Sequence, residues 1–561
     1  MTRAILLNSA CVITLLGAAA CGPDETAKQL EVTLSSANAA PAVGARLELV
    51  RRVYLDRDYR PLWIDGSKLE GRARDLIETL CHAEGEGLRA ADYDLARLQA
   101  ELARLRDDKK SNPAALAALD LRLTRAFLDY GGDLLAGRLD PQAVDNGWYI
   151  KARRAAIDST LRSALSKDDF DDMVSPLRPR QKEYKELLQM LADYRELEAK
   201  GGWGTIAEVS RLQWGDEGPW VGALRHRLKA TGDLGKAAGK PVYDDKVAKA
   251  VARFQERHGI AADGSVGPTT LAALNLPVET RIRIIELNLE RYRWLPSDFG
   301  KRYILVNIPD YRLHAYDGGK ERLTMRVIVG DEYSHATPVF ADSMTHVVFR
   351  PQWDVPRRIL VDEVIPNVRK NIHYLAQHSY EVVDIARNEV IADPSAINWS
   401  KLDMTKIPFR VRQKPGSGNE LGTVKFMFPN QFSIYLHATP ADSLFEKQNR
   451  TLSHGCVRVE DPVKLAGYVL DKQEGWGDDE ILEAIAADPT KDIAPTSVYL
   501  KHPVPVYLLY LTAFVRDGVL HFRDDPYSKD RRAMARMGRP APGDRSECEH
   551  LKELAEGRWV R

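Results

Sequence analysis

The chain has 561 residues, which at roughly 100–200 residues per domain indicates about three or four domains. Hydrophobic residues make up 44% of the sequence and charged residues 29%, a composition typical of globular protein and not of a disordered chain. Its 80 basic side chains balance 80 acidic ones, which excludes the overall positive charge expected of a nucleic-acid-binding protein.

The N-terminal segment has the pattern of a secretory signal peptide. Arg3 supplies a positive charge, residues 4–20 are almost wholly apolar or small, and Cys21 follows. We therefore predict a signal peptide over residues 1–20 and export from the cytoplasm. Two modes of cleavage stay open. One is ordinary cleavage after small residues; the other resembles cleavage at a bacterial lipobox, although Ala18 stands where Leu is usual, and it would make Cys21 a lipid anchor.

The cysteines limit the metal and disulfide chemistry of the chain. There are five of them: Cys11, Cys21, Cys81, Cys456 and Cys548. They show no CxxC or other metal-ligand spacing, so the sequence supports neither a structural zinc site nor a dense disulfide framework. A bridge between Cys81 and Cys548 stays open, because an oxidising compartment would permit it but spacing alone does not establish it.

The first half of the chain reads as a linker followed by helices. Residues 21–44 are small, polar and interrupted by proline, which predicts a linker. Over residues 45–200 apolar side chains recur at spacings of three and four, as at Leu95, Leu98 and Leu102, which predicts core-facing helix faces. No catalytic constellation occurs there, so we predict a helical scaffold domain.

Residues 203–276 predict a smaller helical unit. Apolar residues at helical spacing lead to Phe254, and Gly259 suits the end of that helix. Phe254-Gln255 with Gly259-Ile260, then Asp263-Gly264 and Gly267-Pro268-Thr269-Thr270, resemble the motifs of the small three-helix peptidoglycan-binding domain. The resemblance implies peptidoglycan as a partner, but such domains also serve as spacers, so ligand binding stays open.

Strand patterns dominate from about residue 300. Residues 303–309 are apolar and β-branched, and Asp317-Gly318-Gly319 joins two stretches in the manner of a hairpin. Further strands are predicted over residues 345–349, 425–428, 433–436 and 504–511. We predict a β-rich domain over residues 300–515, interrupted at about 355–420 by a charged insertion with a helix over 360–369. Residues 525–561 predict a charged, flexible tail with room for a short terminal helix.

One short motif carries the chemistry. Ser453-His454-Gly455-Cys456 follows Tyr435-Leu436-His437, with His437 placed 19 residues before Cys456. A thiol with an ordinary pKa of about 8.5 is only a few per cent thiolate at neutral pH, so a neighbouring imidazole is needed to activate it. Gly455 permits a tight turn in which its own amide and that of Cys456 can face an oxyanion. The sequence does not identify the group that orients His437, although Asp442 is nearby.

His437, fifteen intervening residues and Ser453-His454-Gly455-Cys456-Val457-Arg458 resemble the L,D-transpeptidase catalytic domain of the YkuD type. Residues 349–356 resemble the NPxWxVP segment of that family, with Arg350 in place of Asn, and residues 421–426 resemble its LGxxKF strand. The predicted fold class is therefore α+β and multi-domain. It comprises an N-terminal helical scaffold, a small three-helix peptidoglycan-binding-like domain and a C-terminal β-rich L,D-transpeptidase catalytic domain with a large insertion.

The resemblance also implies roles for the residues. Cys456 would attack a peptidoglycan tetrapeptide stem, release D-alanine and pass the thioester to an amine of a second stem, giving a 3→3 cross-link. His437 would be the base and later the acid. Ser453, His454 and Gly455 would shape the nucleophile loop, and Arg458 would contact a substrate carboxylate or support that loop. No metal or cofactor is implied, and carbapenem-type β-lactams are expected to acylate Cys456.

Other functions stay open at this stage. Transfer of the thioester to water would make the protein an L,D-carboxypeptidase, and a lipoprotein partner would make it a transferase or hydrolase of a peptidoglycan–lipoprotein link. A non-catalytic peptidoglycan-binding envelope protein would predict damage at Cys456 or His437, and both are intact. A zinc site of His437, His454 and Cys456 would lack a fourth ligand. The expected location is the periplasm or cell envelope.

Overall fold

A computed structural model describes residues 25–36, 46–107, 112–151, 157–207, 211–235, 240–332, 335–486, 494–538 and 545–556. The predicted signal peptide and Cys21 lie outside the described residues. Four hydrophobic cores organise the described chain, and they correspond to a helical domain, a small helical unit, a β-rich domain and its insertion.

Helices dominate the N-terminal part of the chain. In chain order they are α1 (Glu25–Ser35), α2 (Leu47–Leu55), α3 (Gly71–Cys81), α4 (Leu95–Asp107), α5 (Pro113–Ala136), α6 (Pro141–Val144), α7 (Ile157–Leu165) and α8 (Phe170–Val174). A short hairpin of β1 (Ile64–Asp65) and β2 (Lys68–Leu69) joins α2 to α3. Helix α5 is central, and its fully buried Asp120 accepts hydrogen bonds from the backbone amides of Leu62 and Trp63.

One sequence prediction in this region needs correction. The linker predicted over residues 21–44 is wrong over α1, because Leu30 and Leu34, four residues apart, are buried against α5. The last helix of the predicted scaffold, α9 (Lys182–Ala199), buries its apolar face in the core of the β-rich domain and so joins the two.

The small helical unit matches its sequence prediction. It consists of α10 (Pro219–Ala230), α11 (Asp245–Arg257) and α12 (Pro268–Asn275) around a core that contains Phe254. The side chain of Asp244 caps α11 by accepting from the amide of Val247. Gly259 has the positive φ of 67° expected at a helix end. A long buried helix, α13 (Val278–Trp294), then leads into the β-rich domain.

The β-rich domain is a closed sheet. Its strands are β3 (Arg302–Asn307), β4 (Arg312–Asp317), β5 (Lys320–Gly330), β6 (Phe340–Phe349), β10 (Val424–Met427), β11 (Leu436–His437), β12 (Thr451–Ser453), β13 (Val457–Val459) and β14 (Thr496–Leu509). Their order is β12-β5-β13-β11-β10-β6-β14-β3-β4, and β4 also pairs with β5, which closes the sheet. The hairpin predicted at residues 317–319 joins β4 to β5. Helices α17 (Pro462–Leu470) and α18 (Asp478–Ala486) lie between β13 and β14.

The insertion has a core of its own. Strands β7 (Trp353–Asp354), β8 (Tyr380–Asp384) and β9 (Phe409–Gln413) form a small sheet in the order β7-β9-β8. The helix predicted over residues 360–369 consists of three successive pieces. They are α14 (Arg357–Ile359), a π-helical turn (Leu360–Val364) and α15 (Ile365–Lys370), and α16 (Tyr374–Gln377) follows.

The flexible tail predicted over residues 525–561 is wrong for its described parts. After the hairpin of β15 (Ala513–Arg516) and β16 (Val519–Phe522), helix α19 (Lys529–Met537) packs on α13. Helix α20 (Arg545–Glu556) packs on the N-terminal helices, where Cys548 forms a disulfide with Cys81 and their Cα atoms lie 5.7 Å apart. Apolar residues that recur at helical spacing within this charged segment, such as Leu551 and Leu554, explain the packing.

Among the described residues, no helix combines the length and the apolar composition needed to cross a membrane.

Candidate active site

Two neighbouring strands bring His437 and Cys456 to one side of the sheet. Strands β11 and β13 are parallel, with Leu436 opposite Val457 and His437 opposite Arg458. Leu436 and Val457 are fully buried in the core. Because successive side chains of a strand face opposite sides, His437 and Cys456, which directly adjoin them, project from the other face. Residues 19 positions apart in the sequence are therefore neighbours in the fold.

A backbone carbonyl orients His437. Its Nδ1 lies 2.5 Å from the carbonyl oxygen of Ala438, and the ring is buried with 4% of its surface exposed. The carbonyl of Leu421 also interacts with the imidazole. Asp442, the carboxylate noted in the sequence, is exposed at the start of a 3-10 turn. With Nδ1–H donated to Ala438, Nε2 is the nitrogen free to accept a proton.

The surroundings keep His437 neutral. Burial lowers the pKa of His437 to about 3, and the positive charges of Arg458 and Lys425 act in the same direction. A neutral imidazole is the form that acts as a base, whereas the imidazolium formed after proton transfer is a strong acid. This arrangement suits a residue that takes a proton only transiently.

The Cys456 thiol is half-buried beside hydrogen-bond donors and cations. Burial raises the pKa of Cys456, and this shift is opposed by the backbone and hydroxyl of Tyr435 and by the charges of Lys425 and Arg458. The Tyr435 hydroxyl also interacts with Trp353. In the resting state the thiol lies 3.7 Å from the carbonyl oxygen of Ser433. The thiol is thus protonated at rest, and groups that favour the thiolate stand around it.

Ser453 closes the nucleophile loop. Its hydroxyl donates to the carbonyl oxygen of Cys456 at 2.5 Å and accepts the amide of Gly455 at 3.1 Å. Gly455 has a φ of 111°, a conformation that side-chain-bearing residues rarely adopt. The expectation that both loop amides face an oxyanion is therefore corrected, because the amide of Gly455 is already engaged. Within the described part of the chain, the amide of Cys456 has no acceptor and is the candidate oxyanion donor.

The nucleophile loop has support that the sequence analysis missed. The Thr337 hydroxyl donates to the carbonyl oxygen of Gly455 at 2.8 Å and accepts the amide of Gly330 at 2.9 Å. The Tyr527 hydroxyl donates to the carbonyl oxygen of Gly330 at 2.7 Å. Thr337 follows the end of β5. No local pattern marks it or Tyr527, which lies in the segment predicted as a tail.

His454 is directed toward the insertion. Its Nε2 lies 2.8 Å from Oε1 of Glu363 in the π-helical turn, and its ring centroid lies 4.7 Å from that of His335. His454 thus links the nucleophile loop to the insertion, while Nδ1 of His437 faces Ala438. Among the described residues, no group of three or more His, Cys, Asp or Glu side chains is placed to hold a metal ion, so the zinc alternative gains no support.

Arg458 lies between the thiol and the insertion. One Nη is 3.8 Å from Oε2 of Glu420, and burial lowers the pKa of Arg458 while Glu420 and Cys456 oppose that shift. Its buried Nε has no partner among the described residues. Donor capacity is therefore left over for an anionic group, which fits the first of the two roles predicted for it.

The two outlying motif segments support the same region. Arg350, which replaces the usual Asn, keeps a positive φ of 50°, and its Nε donates to the carbonyl oxygen of Ala484 at 3.0 Å. The side chain therefore ties the segment to α18. Gly422 has a φ of 60°, and a Cβ there would lie 2.5 Å from that of Ala438, directly beside His437. Only glycine permits this approach.

Comparison with known protein families gives three matches. Residues 48–191 match the "Scaffold domain", residues 217–274 the "Putative peptidoglycan binding domain" and residues 301–490 the "L,D-transpeptidase catalytic domain". The order and positions of these matches follow the fold described above.

The chain is also similar to individual proteins. The chain is 38% identical over 247 residues to a protein named "Putative L,D-transpeptidase" from Haemophilus influenzae, covering 44% of this chain and 48% of that protein. This chain thus spans about half the length of that relative. A crystal structure of an L,D-transpeptidase from Xylanimonas cellulosilytica is 18% identical, covers 54% of this chain and 99% of its own, and has a TM-score of 0.16. One from Stackebrandtia nassauensis is 14% identical, covers 56% of this chain and 98% of its own, and has a TM-score of 0.20. Scores this low support no argument about the fold.

Proposed function

We propose that the chain joins peptidoglycan stem peptides through a thioester on Cys456, because residues 301–490 match the L,D-transpeptidase catalytic domain. The observation that carries this proposal is the placement of Cys456 and His437 on one face of adjacent strands, beside Tyr435, Lys425 and Arg458. An imidazole base and a half-buried thiol in an electropositive setting are the parts that cysteine acyl transfer requires.

In the first half-reaction, Nε2 of His437 accepts the Cys456 proton as sulfur attacks the carbonyl of the third residue of a tetrapeptide stem. The negative charge on the carbonyl oxygen is stabilised by the amide of Cys456. The imidazolium of His437 then donates its proton to the departing amine, the C–N bond breaks, and D-alanine leaves. A thioester on Cys456 remains.

In the second half-reaction, a side-chain amine of another stem attacks the thioester. His437 takes a proton from the attacking amine and returns it to the sulfur as the C–S bond breaks. The product is a 3→3 cross-link, and the thiol is restored. Arg458 is suited to hold a substrate carboxylate during both steps, because its Nε has no protein partner among the described residues.

The test uses the chain from residue 21 onward, as wild type and as Cys456→Ala, with disaccharide-tetrapeptide as substrate. We expect the wild type alone to form a 3→3-linked dimer that has lost one D-alanine, identified by mass spectrometry of the products. His437→Gln should also be inactive, whereas His373→Gln, which changes an exposed histidine of the insertion, should retain activity.

Other results of this test would redirect the proposal. Tripeptide and free D-alanine without dimer would identify a carboxypeptidase. Substrate left equally untouched by the wild type and Cys456→Ala would contradict the proposal and favour a lipoprotein substrate or a binding role.

We extend the proposal to inhibitors and location. A carbapenem should add its mass once to the wild type and not to Cys456→Ala.

The peptidoglycan-related domains support a cell-envelope location. Lipid attachment at Cys21 would appear as fatty-acid labelling that Cys21→Ala abolishes.

A further inference from the structure

A cavity of about 1000 Å³ lies where the small helical unit meets α13, the end of β16 and α19. None of its lining residues belongs to the candidate active site. Charged side chains line part of it, and small or aliphatic side chains line another part: Ile260, Ala272, Leu276, Ile284, Met534 and Ala535. We call this cavity the junction cleft.

Arg281 lines the junction cleft without a direct ion pair among the described residues, although the charge of Asp524 in the same lining acts on it. The residue is 6% exposed, and its Nη2 donates to the carbonyl oxygen of Ala273 at 2.9 Å. Its guanidinium stacks on the Phe522 ring with 4.4 Å between Cζ and the centroid. Within the described ranges Arg281 forms no ion pair, and its buried Nε has no hydrogen-bond acceptor. A buried cation of this kind is costly unless an anion approaches it.

The other charged residues of the junction cleft leave an excess of positive charge. Among the described residues Arg283 forms no direct ion pair; it donates to the backbone carbonyls of Met534 and Gly538, and its charge acts on the buried Glu286. Arg531 is exposed at the rim and has no ion-pair partner in the part of the chain that the structure describes. The carboxylates of Asp525 and Asp530 are already engaged by protein donors, with the Tyr510 hydroxyl and Arg291 among their respective partners. Among the described residues, the exposed Asp524 is the one acid of the lining that is not held by a protein donor. Three arginines of the lining form no direct ion pair with another described residue: Arg281, Arg283 and Arg531.

The region behind Arg281 adds to the positive charge. Arg227 and Arg257 are buried nearby, and Arg257 forms a two-point ion pair with Asp233. Burial lowers the pKa of Arg281 to about 10, and the charge of Arg257 acts in the same direction, whereas Tyr194 and Asp524 oppose the shift. Of these three buried guanidinium groups only that of Arg257 forms an ion pair among the described residues, so an anion entering the cleft would be stabilised.

We propose that the junction cleft binds a free carboxylate of a peptidoglycan stem peptide, with Arg281 and Arg283 as its anchors and Arg531 at the rim. The ligand class rests on the proposed function and on the match of residues 217–274 to a peptidoglycan-binding family. The small apolar walls suit the methyl groups of alanine residues in such a peptide. A stem held here would keep the enzyme on the polymer while Cys456 acts on another stem.

The experiment measures binding of a soluble stem tetrapeptide by calorimetry, using the otherwise full chain with Cys456→Ala so that no turnover occurs. We expect Ala535→Trp, which fills the cleft from an exposed helix position, to remove one binding site per chain. Arg531→Gln should weaken that site at least fivefold. Arg536→Gln, which neutralises an exposed arginine of the same helix outside the lining, should bind as the parent does.

A tetrapeptide with its carboxyl groups amidated should also lose the site. Equal stoichiometry and affinity in all variants, or equal binding of the amidated peptide, would overturn the proposal. Because binding is measured without catalysis, failure of the transpeptidase reaction and failure of the cleft give different results.

Discussion

At the residue scale, burial and two neighbouring cations act together on His437 and against each other on Cys456. Burial favours the neutral forms of both His437 and Cys456, while Lys425 and Arg458 favour the thiolate. Charge therefore develops only when substrate is attacked. Both effects can be measured without the peptidoglycan substrate.

His437 should make stability depend on pH. A histidine in the unfolded chain has a pKa of about 6.5, whereas burial lowers the pKa of His437 to about 3 in the folded protein. Between these values the unfolded state binds more protons, so the free energy of unfolding falls as the pH falls. From pH 7 to pH 5 the wild type should lose about 2 kcal/mol more stability than His437→Gln.

Urea denaturation at the two pH values checks this prediction. His373→Gln, at an exposed position, should retain the wild-type dependence on pH. If the free energy of unfolding changed equally with pH in the wild type and His437→Gln, the imidazole would not be held neutral by burial.

Tyr435 should lower the pKa of the nucleophile. Its hydroxyl acts to lower the pKa of Cys456, and a hydrogen bond to a charged acceptor contributes about 1.5–3 kcal/mol. Tyr435→Phe should therefore slow alkylation of Cys456 by iodoacetamide roughly tenfold at neutral pH and shift the rate profile to higher pH. Intact mass follows the reaction, and the exposed Tyr499→Phe is the control. An unchanged profile would remove Tyr435 from the candidate site.

At the element scale, short strands hold the site because neighbouring backbone segments approach each other closely where a glycine has no side chain. Strand β11 spans only Leu436–His437 and relies on its neighbours for position. Gly422 passes directly beside it, and Gly455 forms the turn before β13.

Gly422→Ala should destabilise the β-rich domain by about 2–4 kcal/mol, because left-handed backbone strain and a clash add together. A Cβ would lie 2.5 Å from that of Ala438 and 2.8 Å from the amide nitrogen of Thr439. Thermal unfolding measures the loss. Gly418→Ala, where a Cβ meets nothing within 4 Å, should stay close to the wild type. Equal melting temperatures for both variants would contradict the close approach.

At the scale of the whole molecule, the C-terminal segment ties the domains together. Lys529 of α19 forms a buried ion pair of 2.6 Å with Asp145. Helix α20 returns to the N-terminal helices, and its disulfide spans 467 residues. The two ends of the described chain are therefore parts of one domain.

Cys548→Ser should loosen this connection. Loss of a disulfide removes a constraint on the unfolded chain and typically costs about 2–4 kcal/mol. We expect faster hydrogen exchange in α20 and α3, measured by mass spectrometry, and the same change in the wild type after reduction. Cys456→Ala is the control for a cysteine outside the disulfide. Unchanged exchange in Cys548→Ser would mean that packing alone holds α20.

Much of this organisation was readable from the sequence because its signals are local. The spacing of Leu95, Leu98 and Leu102 predicted buried faces, and the hairpin at residues 317–319 joins the strands as expected. The candidate pair of His437 and Cys456 was visible because each stands in a short motif beside a strand. The domain order followed from such motifs as well.

Only the tertiary structure decided the rest. The carbonyl of Ala438 orients His437, and a backbone carbonyl carries no residue identity that a sequence could reveal. Tyr527 reaches the nucleophile loop from a segment predicted as a tail, and α20 packs on helices more than 400 residues earlier. The sequence by itself therefore determined the local elements and the reactive motif. Contacts between distant segments, which depend on how whole surfaces pack and not on local periodicity, determined the support of the site and the junction cleft.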